Sequence, residues 1–149
     1  MKPARSFLLL MALVVPSVLE APSSPVPDLL RGSFVDDYQV PHVINDTMWS
    51  LGSRDRYHIV ASNDSARYLI ARNATGNTSD AGKWTRIDWM VLPMPPYEWA
   101  FCLIEYKAES RAEALANVRA DREHPRTGCN GFPFSRMRRA ASDSSQHRS

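Results

Sequence analysis

Short apolar or β-branched runs, separated by turn residues, recur along the chain from residue 32 to residue 108. Runs of this length and spacing are typical of antiparallel strands joined by tight connections. Six strands are predicted, at 33–37, 42–44 with 48–51 as its continuation, 57–61, 67–72, 84–92 and 97–107. The pattern restricts the domain to a mainly β fold.

The spacing of apolar residues along the sequence changes after the last of these runs. Ser110 and Glu113 form a capping box, in which the serine accepts from an early backbone N–H and the glutamate reaches back. Apolar residues then recur at helical spacing. Pro125 disfavours helical geometry in His124, so one C-terminal helix is predicted to end there.

The run at 97–107 carries information on both of its faces, because side chains alternate along a strand. Trp99 and Phe101 fall on one face, and Ala100 and Cys102 fall on the other. Small residues let a helix approach a sheet closely. We therefore expect the aromatic face to turn into the core and the helix to lie across Ala100 and Cys102, on the outer face of the sheet.

The chain contains two cysteines, Cys102 and Cys129. In an exported protein a single pair of cysteines is most simply explained as a disulfide. It would stabilise the domain by about 3.5 kcal/mol in the chain-entropy treatment. A cysteine nucleophile is the alternative, but no local motif marks one.

These elements give an α+β fold that is mainly β: an antiparallel up-and-down meander of about six strands, as a curled sheet or small barrel, with one helix on its outer face. In outline it resembles the lipocalin-like proteins, which combine export, an up-and-down sheet, a helix after the strands and a disulfide to the C-terminal segment. Gly32-Ser33-Phe34 stands where that family usually has Gly-x-Trp, and six strands are counted here rather than eight. The resemblance is one of architecture.

The N-terminus has the pattern of a secretory signal. Lys2 and Arg5 precede an apolar run that is too short to span a membrane, and small residues follow it. The predicted organisation is a signal peptide at 1–23, a linker at 24–31, a single β domain at 32–135 and a disordered basic tail at 136–149. A secreted or periplasmic location follows, with no stable membrane span after cleavage.

Charge and motifs exclude several function classes. The formal net charge is +2, and much of the basic excess lies in the tail, so the body has no electrostatic footprint for nucleic acid. None of the usual metal-binding spacings of histidine and cysteine occurs. No cofactor and no metal are predicted.

The run at 84–92 places Trp84, Arg86 and Asp88 on one face, opposite Ile87 and Trp89. An aromatic ring beside a charge pair is a common lining for a binding site. Trp84, Arg86 and Asp88 are therefore the candidate ligand-binding residues. The alternative is a partly exposed strand face with a salt bridge across it.

Two functions remain open. The first is non-catalytic binding of a small ligand or a partner protein. The second is a small extracytoplasmic hydrolase, because Asp36, Asp37, Asp88 and Glu98 include carboxylates that could pair as acid and base. The sequence favours binding, since no convergent catalytic set is visible in it.

Overall fold

The structure, a computed structural model, describes residues 24–116 and 119–141. The predicted signal peptide at 1–23 and the end of the predicted tail at 142–149 lie outside the described residues. A 3₁₀ turn at Asp28–Leu30 precedes the first strand, and one helix, α1, spans Arg111–Ala116. The strands are β1 Gly32–Asp36, β2 Pro41–Ile44, β3 Met48–Leu51, β4 Asp55–Asn63, β5 Tyr68–Asn73, β6 Trp84–Met94, β7 Tyr97–Ala108 and β8 Ser135–Arg139.

These strands form a closed antiparallel barrel of eight strands. Each strand pairs with its neighbours in sequence, and β8 closes the barrel by pairing with both β7 and β1. The mainly β fold, its antiparallel order and the option of a small barrel are confirmed. The count of six strands is wrong, and α1 lies between β7 and β8 rather than after the last strand.

One missed strand is β3, which the sequence joined to β2. Asn45 reverses the chain between them, because its Oδ1 accepts from the backbone N–H of Thr47 at 2.9 Å and of Met48 at 2.8 Å. Met48 then pairs with His58 on β4. Two short strands separated by a tight turn look like one interrupted strand when only composition is read.

The other missed strand is β8, which lies in the segment expected to be a disordered basic tail from residue 136. Met137 is fully buried in the barrel, while Arg136 and Arg138, its neighbours on β8, face outward. Arg136 pairs with Asp37 at 2.8 Å. A strand with one apolar residue among arginines has too little alternation to be recognised, so the boundary at 136 is corrected.

The barrel interior is filled by aromatic side chains. Trp49, Trp99, Phe34 and Phe101 are buried there and pack edge-on, with ring centroids 5.0 Å apart for Trp49 and Phe101. This confirms that the aromatic face of β7 turns into the core. Such rings contribute both buried area and a preferred relative geometry.

The predicted linker at 24–31 also contributes to this core. Val26 and Leu30 are buried and pack with the interior residues. The prolines of this segment disfavour regular secondary structure. They do not prevent its apolar side chains from packing against the barrel interior. The segment therefore belongs to the domain.

The outer face of β7 is covered, as its small residues predicted. The cover is the segment between α1 and β8 rather than the helix. Cys102 bonds to Cys129, with Cα atoms 5.6 Å apart, and Ala100 and Cys102 pack under Ala120 and Phe134. The disulfide is thus confirmed. The helix does not lie there and does not reach His124, because residues 119–121 are already non-helical.

Helix α1 packs elsewhere on the barrel wall. Its buried Ala114 contacts Ile70 of β5 and Ala108 of β7. After the helix, the backbone N–H of Ala120 donates to a carboxylate oxygen of Asp88 at 2.9 Å. That bond attaches the non-helical chain at Ala120 to the sheet, in a region where the sequence pattern predicted helix.

Candidate functional site

Arg86 and Asp88, two of the predicted ligand-binding residues, lie under the segment that follows α1. Their side chains are 3% and 0% exposed, and Arg86 Nε donates to Asp88 Oδ1 at 2.7 Å. The second carboxylate oxygen accepts from Ala120 N at 2.9 Å. Arg122 adds a guanidinium 3.6 Å from the same oxygen. Asp88 is therefore surrounded by partners from this chain.

Arg86 and Trp84 are also covered. Arg86 donates to the carbonyl of Leu115 at 3.3 Å and stacks 4.3 Å from the ring centroid of Tyr68. Trp84 is half-buried in the cluster that includes Ala114 of α1. We assign the Arg86–Asp88 pair a structural role, the attachment of the covering segment to the sheet. Ligand binding at Trp84, Arg86 and Asp88 stays a prediction.

A groove of about 580 Å³ lies on the outer face of the barrel, next to this covered region. Its floor is a row across three paired strands, in which Met90 of β6 lies opposite Ala100 of β7 and Ala100 lies opposite Arg136 of β8. The small side chain of Ala100 in the middle of the row leaves depth between its two long neighbours.

The walls of the groove come from three connections. The segment after Pro125 and the Pro133-Phe134 pair form one wall, the turn after β1 contributes Tyr38, and the end of β6 contributes Leu92 and Met94. Tyr38 is 67% exposed and Met94 is 52% exposed. Large hydrophobic side chains thus stand open to solvent around a floor that is apolar at Met90 and Ala100, as they do in binding grooves.

The charges at the groove are unbalanced toward positive. Arg136 pairs with Asp37, and the hydrogen bond that its Nε donates to the Asp37 carboxylate is the main cause that raises the pKa of Arg136. The Arg136 guanidinium also stacks 4.5 Å from the ring centroid of Tyr97. Arg126 lines the groove, is exposed and has no ion pair with another described residue. Arg126 is therefore a positive charge at the rim that no described acidic side chain balances.

The carboxylates proposed for hydrolysis each contact a basic group. Asp36 lies 3.1 Å from His42, Asp37 lies 2.8 Å from Arg136, and Asp88 lies 2.7 Å from Arg86. Glu98 lies 3.2 Å from Arg139 on the exposed surface. A glycosidase pair needs two carboxylates facing each other across a substrate, and each of these four contacts a histidine or arginine side chain instead.

His42 belongs to a buried network inside the barrel. Trp49 Nε1 donates to His42 Nδ1 at 3.0 Å, and His42 Nε2 lies 3.1 Å from Asp36 Oδ2. These bonds assign the proton to Nε2, so the ring is neutral with both nitrogens satisfied. Burial lowers the pKa of His42, although Asp36 acts in the opposite direction.

Residues 24–116 and 119–141 hold no group of three histidine, cysteine, aspartate or glutamate side chains arranged to bind a metal ion. No helix in those ranges is long and apolar enough to cross a membrane.

Comparisons with models of protein families, with curated proteins and with solved structures found no match. Function is therefore inferred from the groove itself.

The sequence did not predict the groove as a site, although two signals were present. Met90 falls on the outer face of its strand by alternation, and the Phe132-Pro133-Phe134 segment is apolar although it lies in a loop. Neither signal shows that β8 would bring Arg136 beside them. The site depends on barrel closure, which joins segments distant in sequence.

Proposed function

We propose that this protein is a non-catalytic binding domain that holds a small apolar molecule carrying an acidic group in the outer groove. The observation that carries the proposal is the groove of about 580 Å³, whose floor includes Met90 and Ala100 and whose rim carries Arg126, an arginine with no ion pair to another described residue. Its volume lies within the usual range for small-molecule sites, about 300–1,000 Å³. The disulfide and the predicted signal peptide support an extracytoplasmic location for this activity.

The apolar side chains of the groove suit a flexible hydrocarbon. Met90 and Met94 have unbranched, polarisable side chains that adapt to ligands of irregular shape. Phe134 is buried and gives the wall a rigid ring next to them. An alkyl chain lying along the floor would cover surface that is now exposed to water, which is the main driving force for such binding.

Arg126 supplies the preference for an acid. Its guanidinium can form two parallel hydrogen bonds with one carboxylate, a geometry that lysine does not provide. Arg136 is already paired with Asp37, so it helps to fix the groove and adds no free charge. A neutral ligand of the same shape would leave Arg126 without a partner and should bind more weakly.

The outer groove is favoured over the barrel interior because the interior is occupied by side chains. Trp49, Trp99 and Phe34 are all fully buried there, and the ring of Trp99 contacts both of the others. A ligand in that space would have to displace rings that hold the fold together. This distinguishes the protein from barrels that enclose their ligand.

A partner protein is the second candidate occupant, since Tyr38 and Met94 stand open to solvent as they would at an interface. The small acid is preferred because the groove is deep at Ala100 and carries one localised cation rather than a flat apolar face. The hydrolase has no comparable support, because its candidate carboxylates contact basic side chains.

Octanoate and its neutral counterpart 1-octanol provide the test, using isothermal titration calorimetry on the disulfide-bonded protein. Octanoate is expected to bind saturably and 1-octanol several-fold more weakly. Met94→Asp places a charge at the apolar wall and should weaken octanoate binding at least about tenfold, which corresponds to about 1.4 kcal/mol. Val43→Asp is the matched control, because Val43 is 51% exposed on β2 and does not line the groove.

Arg126→Ala should reduce octanoate binding about three- to tenfold, since an exposed ion pair contributes about 0.2–1 kcal/mol and a bidentate pair contributes more. Arg54→Ala, at another exposed arginine, is its control. Equal binding of octanoate by wild type and Met94→Asp would place the ligand elsewhere. Saturable binding of a peptide but of neither small molecule would favour a protein partner.

A further inference from the structure

A second cavity, of about 230 Å³, lies at a mouth of the barrel and shares no residue with the outer groove. Tyr57 and Leu103 line it and also pack against the interior core, so the cavity opens above the filled interior. The complete lining is Tyr57, Asn73, Ser79, Asp80, Leu103 and Tyr106.

Asn73 holds the walls of this cavity in place. It is 3% exposed, and its Nδ2 donates to the carbonyl oxygens of Asp80 at 2.9 Å and Tyr106 at 3.2 Å. Its Oδ1 accepts from Thr85 Oγ1 at 2.6 Å. Asn73 thus ties the loop after β5 to β7, and a cavity already in shape needs less ordering when a ligand enters.

One acidic residue, Asp80, lines the cavity. Asp80 is half-buried, and its carboxylate has no hydrogen bond or ion pair with another described residue. Burial and, after it, the negative charges of Asp55 and Asp80 together raise the pKa of Tyr57 to about 12. Two carboxylates therefore act on the phenol that lines this space.

Two tyrosines, Tyr57 and Tyr106, line the cavity together with Asp80. Tyr57 and Tyr106 can present ring faces, which attract cations through the ring quadrupole. Tyr106 already makes one such contact, because the ammonium of Lys107 lies 5.2 Å from its ring centroid. One cation of the protein therefore already lies near this ring, and a bound ligand would add a second cation beside it or displace the lysine.

We propose that this cavity binds a substituted ammonium group of a small organic cation. The rings of Tyr57 and Tyr106 would contact its alkyl groups, and the Asp80 carboxylate would balance its charge. Aromatic surfaces beside an acidic group are the usual means by which proteins recognise such cations. The site is independent of the outer groove, which favours an anion.

Choline and 3,3-dimethylbutan-1-ol test the proposal, because they have nearly the same shape and differ in charge. Titrations of the disulfide-bonded protein by NMR should show saturable binding of choline and at least a tenfold weaker affinity for the alcohol. Asp80→Asn should lower choline affinity at least tenfold without changing octanoate binding. Asp64→Asn, at an exposed aspartate in the turn between β4 and β5, should leave choline affinity unchanged.

A second readout follows from the permanent charge of choline. Bound choline should lower the pKa of Tyr57 from its value of about 12, measured by tyrosinate absorbance, because a nearby cation favours the phenolate. Equal affinities for choline and the alcohol, no binding of choline, or unchanged binding by Asp80→Asn would each overturn the proposal. Loss of octanoate binding alone would concern only the outer groove.

Discussion

At the scale of single residues, buried polar groups determine how the barrel and its cover fit together. Asp88 is completely buried, yet it contacts Arg86 and the backbone of Ala120. His42 is likewise satisfied between Trp49 and Asp36. Removing one partner from such a group leaves the other buried without compensation, which costs far more than the bond contributes.

Asp88→Ala should therefore lower the free energy of unfolding by about 3–5 kcal/mol, because Arg86 remains buried without its carboxylate. Asp64→Ala, at an exposed turn, should change it by less than about 0.5 kcal/mol. Urea denaturation of both variants measures the difference. Equal stabilities would show that Arg86 and Asp88 are exposed to solvent, as a ligand site would require.

His42 should make the protein less stable in mild acid. Its pKa is lowered in the folded state by burial, whereas in the unfolded chain it titrates near 6.5. As pH falls below about 6.5, the unfolded state takes up a proton that the folded state resists, so stability falls toward the folded-state pKa at no more than about 1.4 kcal/mol per pH unit.

Urea denaturation between pH 7.5 and pH 5.5 checks this expectation. His42→Gln should have a lower stability at neutral pH and a flatter pH dependence, since the titrating group is gone. His58→Gln alters an exposed histidine and should keep the wild-type slope. If the free energy of unfolding of His42→Gln depends on pH as steeply as that of the wild type, then other groups cause the pH dependence.

At the scale of secondary-structure elements, the sequence predicted the long strands well. Alternation placed Trp99 and Phe101 inside and Ala100 and Cys102 outside because β6 and β7 are long and carry strong apolar patterns. It failed for β8, whose pairing with β7 and β1 brings its one buried residue into the core. Local pattern cannot reveal a strand whose stability comes from partners far away in the chain.

The same limit explains why the sequence did not predict the functional site. Trp84, Arg86 and Asp88 were placed correctly on one face of β6, but what covers that face depends on the path after α1. Alternation describes the direction of a side chain and carries no information about a covering loop. The groove likewise requires β8 beside β7, so its floor could not be assembled from the sequence.

Met137→Ala tests the contribution of β8. Met137 is fully buried inside the barrel, so its truncation should lower stability by about 2–5 kcal/mol. Met94→Ala is the same change at a 52% exposed site and should cost less than about 0.5 kcal/mol. Thermal and urea unfolding measure both. Equal effects would mean that β8 does not close the barrel in solution.

At the scale of the whole molecule, closure and the disulfide act together. The barrel places β8 next to β7, and the Cys102–Cys129 bond fixes the covering segment on β7 from outside. The groove lies between these two constraints. Its shape is therefore set by the fold before any ligand is present.

The double variant Cys102→Ser, Cys129→Ser should lower stability by about 2–4 kcal/mol. Octanoate binding should also weaken, because the wall that contains Phe134 loses its covalent attachment to β7. Unfolding and calorimetric titration of the same sample separate the two effects. Full stability in the double variant would show that packing alone holds the covering segment.

The central claim is that the ligand binds outside the barrel while the interior stays filled. NMR mapping with octanoate tests it directly, because Met90 and Met94 report on the groove and the buried indoles of Trp49, Trp89 and Trp99 report on the interior. We predict saturable shifts of the two methionine methyl signals and unchanged signals from the three indole N–H groups. Shifts of the indole signals with unmoved methionine methyls would contradict this account.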